Sequence, residues 1–340
     1  MARPVRAIEN VAADRIPFHE LMAAQQPALL KGLARDWPLV RRGLESPAAA
    51  MAYLESFYGG RPVVFYRGAP EIGGRFFYNE DLTALNFETG RMGLDEFLAG
   101  IVAHFEEERP PSFYVGSTDV DTWLPGLRAK NDLVLAHAMF ESNKPLVGIW
   151  IGNRTMAAAH YDMSNNMACN MVGRRRFTLF PPEQVRNLYP GPLEPTPGGQ
   201  VVSMVDPRAP DHDLYPRYAE ALAAAQVAEL EPGDVLFYPA LWWHQVEALD
   251  GFNVMINYWW NTSPAFMDTP QTTLLHALLS LRDRPEPEKR AWRELFDFYV
   301  FGEAGSAGAH LPDHAQGALG PLDEIKARRL RATLLNRLNR

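Results

Sequence analysis

The stretch Ala157–Pro182, AAAHYDMSNNMACNMVGRRRFTLFPP, decides the reading of this chain. It reads as two strand-forming runs joined by a tight turn at Gly173. It also carries His160, Asp162, Asn166, Asn170 and three consecutive arginines, a polar density that costs free energy inside a core unless something pairs with it. His160 and Asp162 stand two apart, which on a strand puts both side chains on one face. In the return strand Arg175, Phe177 and Leu179 share one face, while Arg176 and Thr178 share the other. Arg175 is therefore predicted to point inward among large apolar residues, where a lone guanidinium needs an anionic partner. The neighbouring strands offer no obvious carboxylate, which leaves a ligand.

A third metal ligand is available in DVLFYPALWWHQV, where His244 follows a glycine-aspartate turn and two tryptophans. Two imidazoles and one carboxylate occupy one face of an octahedron and leave positions open, as in non-haem Fe(II) oxygenases. His160, Asp162 and His244 are the candidate metal ligands and catalytic centre. With Arg175 one hairpin away, the set suits a dicarboxylate such as 2-oxoglutarate. Its 1-carboxylate and 2-keto oxygen would chelate iron, and its 5-carboxylate would meet Arg175. A His-x-Asp pair alone is not specific, and its weight here comes from this context. His104 and Glu106 form a similar pair, but beside further glutamates near a helix end, where a solvated face is expected.

Composition bounds the rest. A chain of 340 residues with 47% hydrophobic and 11% aromatic residues can bury a sizeable core, which excludes a disordered protein. The formal charge of −8 disfavours a bulk electrostatic grip on nucleic acid. A local basic groove, and with it a tRNA, is not excluded. The single cysteine, Cys169, lies in an apolar run and reads as a buried filler. No window has the length and apolarity of a signal h-region or a membrane span, so a soluble cytoplasmic protein is expected.

Along the chain, residues from about 15 to 57 read as helical and mixed, with Ser46 placed to cap a helix. RPVVFYRG and SFYVGS read as strands. Leu94, Phe97, Leu98, Ile101, Val102 and Phe105 recur at helical spacing before two prolines. From Leu146 the texture becomes short strands: LVGIWIGN, the opening stretch, GGQVVSMVDP, ELEPGDVLFYPALWWHQVEAL and FNVMINYWW. Strands this short point to an antiparallel sandwich or jelly roll. After Pro264 the pattern is helical and ends in an amphipathic helix with Leu322, Ile325, Leu330, Leu334 and Leu338 in one stripe. That stripe is expected to dock on its own domain or on a second subunit.

These motifs resemble the JmjC-type, cupin-fold 2-oxoglutarate oxygenases, particularly the asparaginyl-hydroxylase-like branch that includes factor inhibiting HIF. The resemblance covers roughly residues 20–262. QPALLKGLARDWP is similar to the family's entry segment, and HYDMSNNMACNMVGRRRFTLFPPEQVRNLYP and PGDVLFYPALWWHQV with NVMINYWW to its two core motifs. The resemblance implies a mainly β fold, a double-stranded β-helix with helices before it and a helical C-terminal extension. The oxygenase domain would span 1–264, with the barrel over about 110–262, and 265–340 would form the extension, a candidate homodimerisation element.

It also implies that Asn166, Asn257, Trp259 and Tyr114 join Arg175 around the cosubstrate. The implied activity is Fe(II)-, O2- and 2-oxoglutarate-dependent hydroxylation of a C–H bond on a protein or peptide side chain, or N-demethylation by the same step. The products would include succinate and CO2. Two departures stand out. Alanines replace the Thr-Pro pair that commonly precedes the first histidine, and Arg175 stands where the family commonly has lysine. Two other readings stay open: a cupin enzyme using another divalent metal for isomerisation or ring cleavage, and a non-catalytic cupin binding module. Of the pairs Trp242–Trp243 and Trp259–Trp260, one member each is expected to be ordinary core. Arg174 and Arg176 are expected to be solvated turn charges.

Overall fold

The turn at Gly173 and the turn at Gly233 organise the fold. Gly173 has φ +70°, and a Cβ there would lie 2.4 Å from the Asn253 side-chain oxygen, so only glycine allows this hairpin. Gly233 has φ +94°, and its Cβ would lie 2.7 Å from the Arg35 backbone. The adjacent Asp234 carboxylate then clasps this turn to the N-terminal segment. It accepts from the Gly32 amide at 2.8 Å, the Glu231 amide at 3.0 Å and the Lys31 ammonium at 2.5 Å.

The computed structural model describes residues 2–339. Eight strands make the barrel: β1 (Leu146–Gly152), β2 (Met156–Tyr161), β3 (Asn165–Val172), β4 (Arg175–Phe180), β5 (Gln226–Leu230), β6 (Val235–Tyr238), β7 (Trp243–Ala248) and β8 (Asn253–Trp260). They pair antiparallel in two sheets, in the orders β6-β3-β8-β1 and β5-β4-β7-β2. Most successive strands cross from one sheet to the other, which is the expected jelly roll.

Added strands enlarge both sheets. Ala28–Leu30 and Arg6–Ile8 extend the larger sheet beyond β6, and Ser112–Asp119, Val63–Gly68 and Glu88–Met92 extend it beyond β1. The smaller sheet gains Arg3–Pro4 and Arg75–Phe76 at its two edges.

Alternation along β3 sorts the core. All eight of its residues are buried. Met167, Cys169 and Met171 join the outer core with Phe237 and Ile256, packed against the helices Phe18–Ala24, Pro38–Glu45, Pro47–Glu55 and Leu94–Val102. Ala168 faces the interior with Leu236, Met255, Phe177 and Leu179. The helix starts follow from sequence. Pro38 and Pro47 occupy first turns, and the Ser46 hydroxyl accepts from the Ala49 amide at 3.1 Å.

Three expectations need correction. Within the stretch read as helical and mixed, Ala28–Leu30 is a strand, because pairing to β6 buries all three residues. GGQVVSMVDP is not a strand but a loop, held by isolated bridges from Val202 to His160 and from Ser203 to Pro190. The barrel itself begins at Leu146 rather than near residue 110, the Ser112–Asp119 strand being an addition to its edge.

Two compact units divide the chain, Met1–Asn261 and Thr262–Arg340. The second contains the helices Pro270–Ser280, Glu286–Phe296 and Glu324–Leu338, and an ion pair at 2.8 Å between Arg331 and Asp268. Many of its large apolar side chains are exposed, among them Leu279, Phe301, Leu334 and Leu338. Among the described residues no helix is long and apolar enough to cross a membrane.

Candidate active site

His160 sits on β2 and His244 on the adjacent β7, directly paired across the ladder. The pairing is irregular. His244 faces His160 while Val246 faces Ala157, so a two-residue step on β7 meets a three-residue step on β2. This bulge re-aims the end of β2, a common device beside functional sites. Asp162 follows immediately after β2, and its carbonyl accepts from the Leu241 amide at 2.8 Å.

Ligand atoms from His160, Asp162 and His244 all lie within 4.8 Å of one another, a spacing that could hold one metal ion. The imidazole centroids are 4.3 Å apart. Each histidine Nδ1 faces a main-chain carbonyl, His160 that of Ala158 at 2.8 Å and His244 that of Trp242 at 3.0 Å. Nδ1 is thereby assigned the proton, which leaves both Nε2 lone pairs free to coordinate. Burial lowers the His244 pKa to about 4, helped by the nearby His160 and opposed by Asp162. His244 is thus neutral at ordinary pH, and its 3.7 Å approach to Asp162 is not an ion pair. The Trp259 indole N–H donates to Asp162 Oδ2 at 3.0 Å, fixing the carboxylate.

Arg175 is 2% exposed and points inward, as its alternation predicts. Among the described residues no hydrogen-bond acceptor or carboxylate meets its guanidinium, and its Nε is buried and orphaned. Desolvation pulls its pKa down to about 10, with Tyr114 acting in the opposite direction. Burial raises the Tyr114 phenol, and the charge on Arg175 works against that rise. Tyr114 stacks on Trp150 with centroids 5.6 Å apart.

Asn257 and Asn166 form a relay. The Asn257 amide donates to the Asn166 side-chain oxygen at 2.9 Å, and Asn166 donates to the Ser164 carbonyl at 2.7 Å. Asn257 Oδ1 remains buried and unpartnered. A cavity of about 410 Å³ opens over the triad, lined among others by Tyr114, Trp150, Thr155, Tyr238, Asn257 and Trp259. Arg175 lies outside that lining.

His160, Asp162, His244, Tyr114, Asn257 and Trp259 therefore line one cavity, with Asn166 bonded to Asn257 and Arg175 outside the lining. Trp259 touches the carboxylate directly, beyond the expected wall. Trp243 and Trp260 pack in the cores outside the barrel. Asn170 serves the backbone, donating to the carbonyls of Gly173 and Leu230. Arg174 pairs with Asp250, and Arg176 with Glu229, at the surface. His104 bonds Glu107, not a metal cluster.

Sequence reasoning missed Tyr238. It is 2% exposed, lines the cavity and lies 4.6 Å from His244 between ring centroids. Burial drives its phenol pKa well up, with a contribution from Asp162. The available signal was the alternation from Leu236, hidden in the uniformly apolar VLFY.

An antiparallel jelly roll holding a two-histidine, one-carboxylate face defines a metal-binding cupin. The family model for the cupin-like domain matches residues 14–266, and the chain belongs to that family. It is 25% identical over 248 residues to lysine-specific demethylase 8 of Xenopus tropicalis, covering 71% of this chain and 49% of that protein. It is 28% identical over 295 residues to HSPB1-associated protein 1 of Homo sapiens, covering 80% and 56%. Over 128 residues it is 32% identical to tRNA wybutosine-synthesizing protein 5 of Danio rerio, covering 38% and 34%. The chain spans about half the length of the first two relatives. These likenesses establish the family and do not single out the asparaginyl-hydroxylase-like branch.

Proposed function

We propose that the protein is an Fe(II)- and 2-oxoglutarate-dependent dioxygenase that hydroxylates a C–H bond. The observation that carries this reading is a metal-binding triad sharing a barrel with an inward guanidinium that has no protein anion to pair with. The residues fit both groups. Neutral Nε2 atoms and a fixed carboxylate suit a divalent ion, with coordination positions left open. A buried, unpaired Arg175 suits the far carboxylate of a diacid. On β4, Leu179 faces His244 and Arg175 faces Ala248. The two ends of the site are thus four residues apart, about 13 Å along the strand. A five-carbon diacid and an arginine side chain span that interval together.

His160, Asp162 and His244 would hold iron, which when bound supplies with 2-oxoglutarate and O2 the oxidant for hydroxylation, giving succinate and CO2. Trp259 keeps Asp162 aimed. The carbonyls of Ala158 and Trp242 hold the imidazole tautomers. Arg175 and Tyr114 anchor the diacid, the Asn257–Asn166 relay lies beside it, and the aromatic lining excludes water.

A protein or peptide side chain is the proposed substrate. Loss of an N-methyl group by the same hydroxylation step is favoured by the relative named as a lysine-specific demethylase. The net charge of −8 argues against tRNA. The exposed apolar side chains of Thr262–Arg340 support a homodimer, for which light scattering at twice the chain mass is the expected result and a monomeric mass the refutation.

Anaerobic titration with Fe(II) and 2-oxoglutarate tests the chemistry. A weak visible charge-transfer band should appear and vanish in His160→Ala. Oxygen uptake without succinate would instead favour another cupin reaction.

A further inference from the structure

Of the three ligands, Asp162 alone stands outside the strand ladder, because β2 ends at Tyr161. Its main chain is held instead by the turn between β6 and β7, whose Leu241 amide donates to the Asp162 carbonyl at 2.8 Å. That turn does not sustain itself. Leu241 has φ +66° and Ala240 before it stays at negative φ, which makes Pro239–Trp242 a type II turn with leucine where glycine is usual. A branched side chain in that conformation carries a steric cost that glycine avoids. The closing bond, from the Trp242 amide to the Pro239 carbonyl, is long at 3.4 Å.

Asn165 supplies the missing support. It is 6% exposed, stands three residues after Asp162 and pairs with Trp260 across the ladder of β3 and β8. Its side-chain oxygen accepts from the Ala240 amide at 3.2 Å, and its side-chain nitrogen donates to the Trp260 carbonyl at 3.4 Å. One carboxamide thus meets a donor on one element and an acceptor on another, which neither aspartate nor leucine could do. The adjacent amides of Ala240 and Leu241 are therefore bonded to the two ends of Asp162–Asn165, and the turn that leads into His244 is clasped to the turn that carries Asp162.

We propose that Asn165 is a positioning residue for the metal centre. By holding the β6–β7 turn in its left-handed form, it sets the angle at which the Asp162 carboxylate meets the two imidazoles. Its own bonds go to main-chain atoms, so it acts through Asp162 and offers no ligand atom. This rests on the triad being a metal site and not on the identity of the cosubstrate.

The test is titration of the full chain with Co(II), followed by visible absorption, which needs neither turnover nor cosubstrate. Asn165→Leu keeps size and removes both bonds. It should weaken Co(II) binding at least about tenfold, as loss of a residue supporting a ligand does, and shift the Co(II) absorption band. Adding Ala240→Pro takes away the amide left without an acceptor and presets the turn, proline being favoured at that position. The double variant should return to within about threefold of wild-type affinity. Asn131→Leu is the control for a general loss of stability, since Asn131 is fully buried and accepts from the Leu39 amide at 2.9 Å, in the first turn of the helix Pro38–Glu45. It should lower unfolding stability and leave Co(II) affinity and band unchanged. Where Asn165→Leu does not fold, Asn165→Ser, too short to reach Ala240, takes its place with the same expectations. Wild-type affinity and band in the Asn165 variant overturn the proposal and leave the metal site standing. So does a double variant as weak as the single one, or an equal loss in Asn131→Leu. A wild-type protein that binds no Co(II) overturns both.

Discussion

The two faces of β3 are built to opposite rules. Toward the helices it presents Met167, Cys169 and Met171, all apolar, buried and in contact with apolar neighbours. Toward the barrel it presents Asn166, Ala168 and Asn170, beside Asn257, Tyr238 and the unpaired Arg175. One strand thus packs the outer core with Met167, Cys169 and Met171 and turns Asn166, which bonds Asn257, toward the site. The outer face is satisfied without a ligand, and the inner face holds buried polar atoms with nothing to bond. Stability and chemistry should therefore be separable by choosing the face.

The largest separation comes from the metal ligands. His244→Ala should weaken Fe(II) or Co(II) binding by more than about 100-fold, the upper range for losing a mere supporting residue, and reduce turnover to background. Metal titration checks it, with circular dichroism showing the fold retained. On the other face, Phe237→Ala should cost about 3–5 kcal/mol in urea unfolding while leaving the metal affinity of the folded protein unchanged.

Arg175→Met sharpens the contrast, because it should improve one property and spoil the other. Removing an unpaired buried charge should stabilise the ligand-free protein by about 1–3 kcal/mol. The same change should weaken 2-oxoglutarate binding at least about tenfold. Ligand-free melting and anaerobic titration read the two effects, and a destabilised, fully binding variant would break the comparison. Trp259→Phe is the mildest case. It removes the hydrogen bond to Asp162 and should reduce metal affinity by about 10-fold with little change in melting temperature.

Much of this was legible because period-two alternation is a strong signal where one face is buried and the other partly open, as along β4. It placed Arg175 inward, Arg176 outward and His160 beside Asp162. The helix Leu94–Val102 was equally readable from its spacing, and Ser46 from its capping chemistry. Other features had no local signature. Ala28–Leu30 is a strand because of β6, some 200 residues away, and nothing in QPALLKG states that. Tyr238, Trp150 and Thr155 look like ordinary strand residues until the topology turns them into one cavity. The hydrogen bond from Trp259 to Asp162 depends on the register between β3 and β8, which a single sequence does not print.

The mismatch between β2 and β7 has a consequence for how such sites are recognised. Deleting either Ala158 or Ala159 would leave every ligand in the chain and the H-Y-D spelling untouched. The two strands would then run in step with His160 still opposite His244, but the bulge that re-aims the end of β2 and presents Asp162 beside it would be gone. A motif search would still accept that shortened chain, although its three ligands would no longer converge at the same angles. Here spacing upstream of the signature, made of residues with almost no side chain, is as much a part of the binding code as the letters themselves.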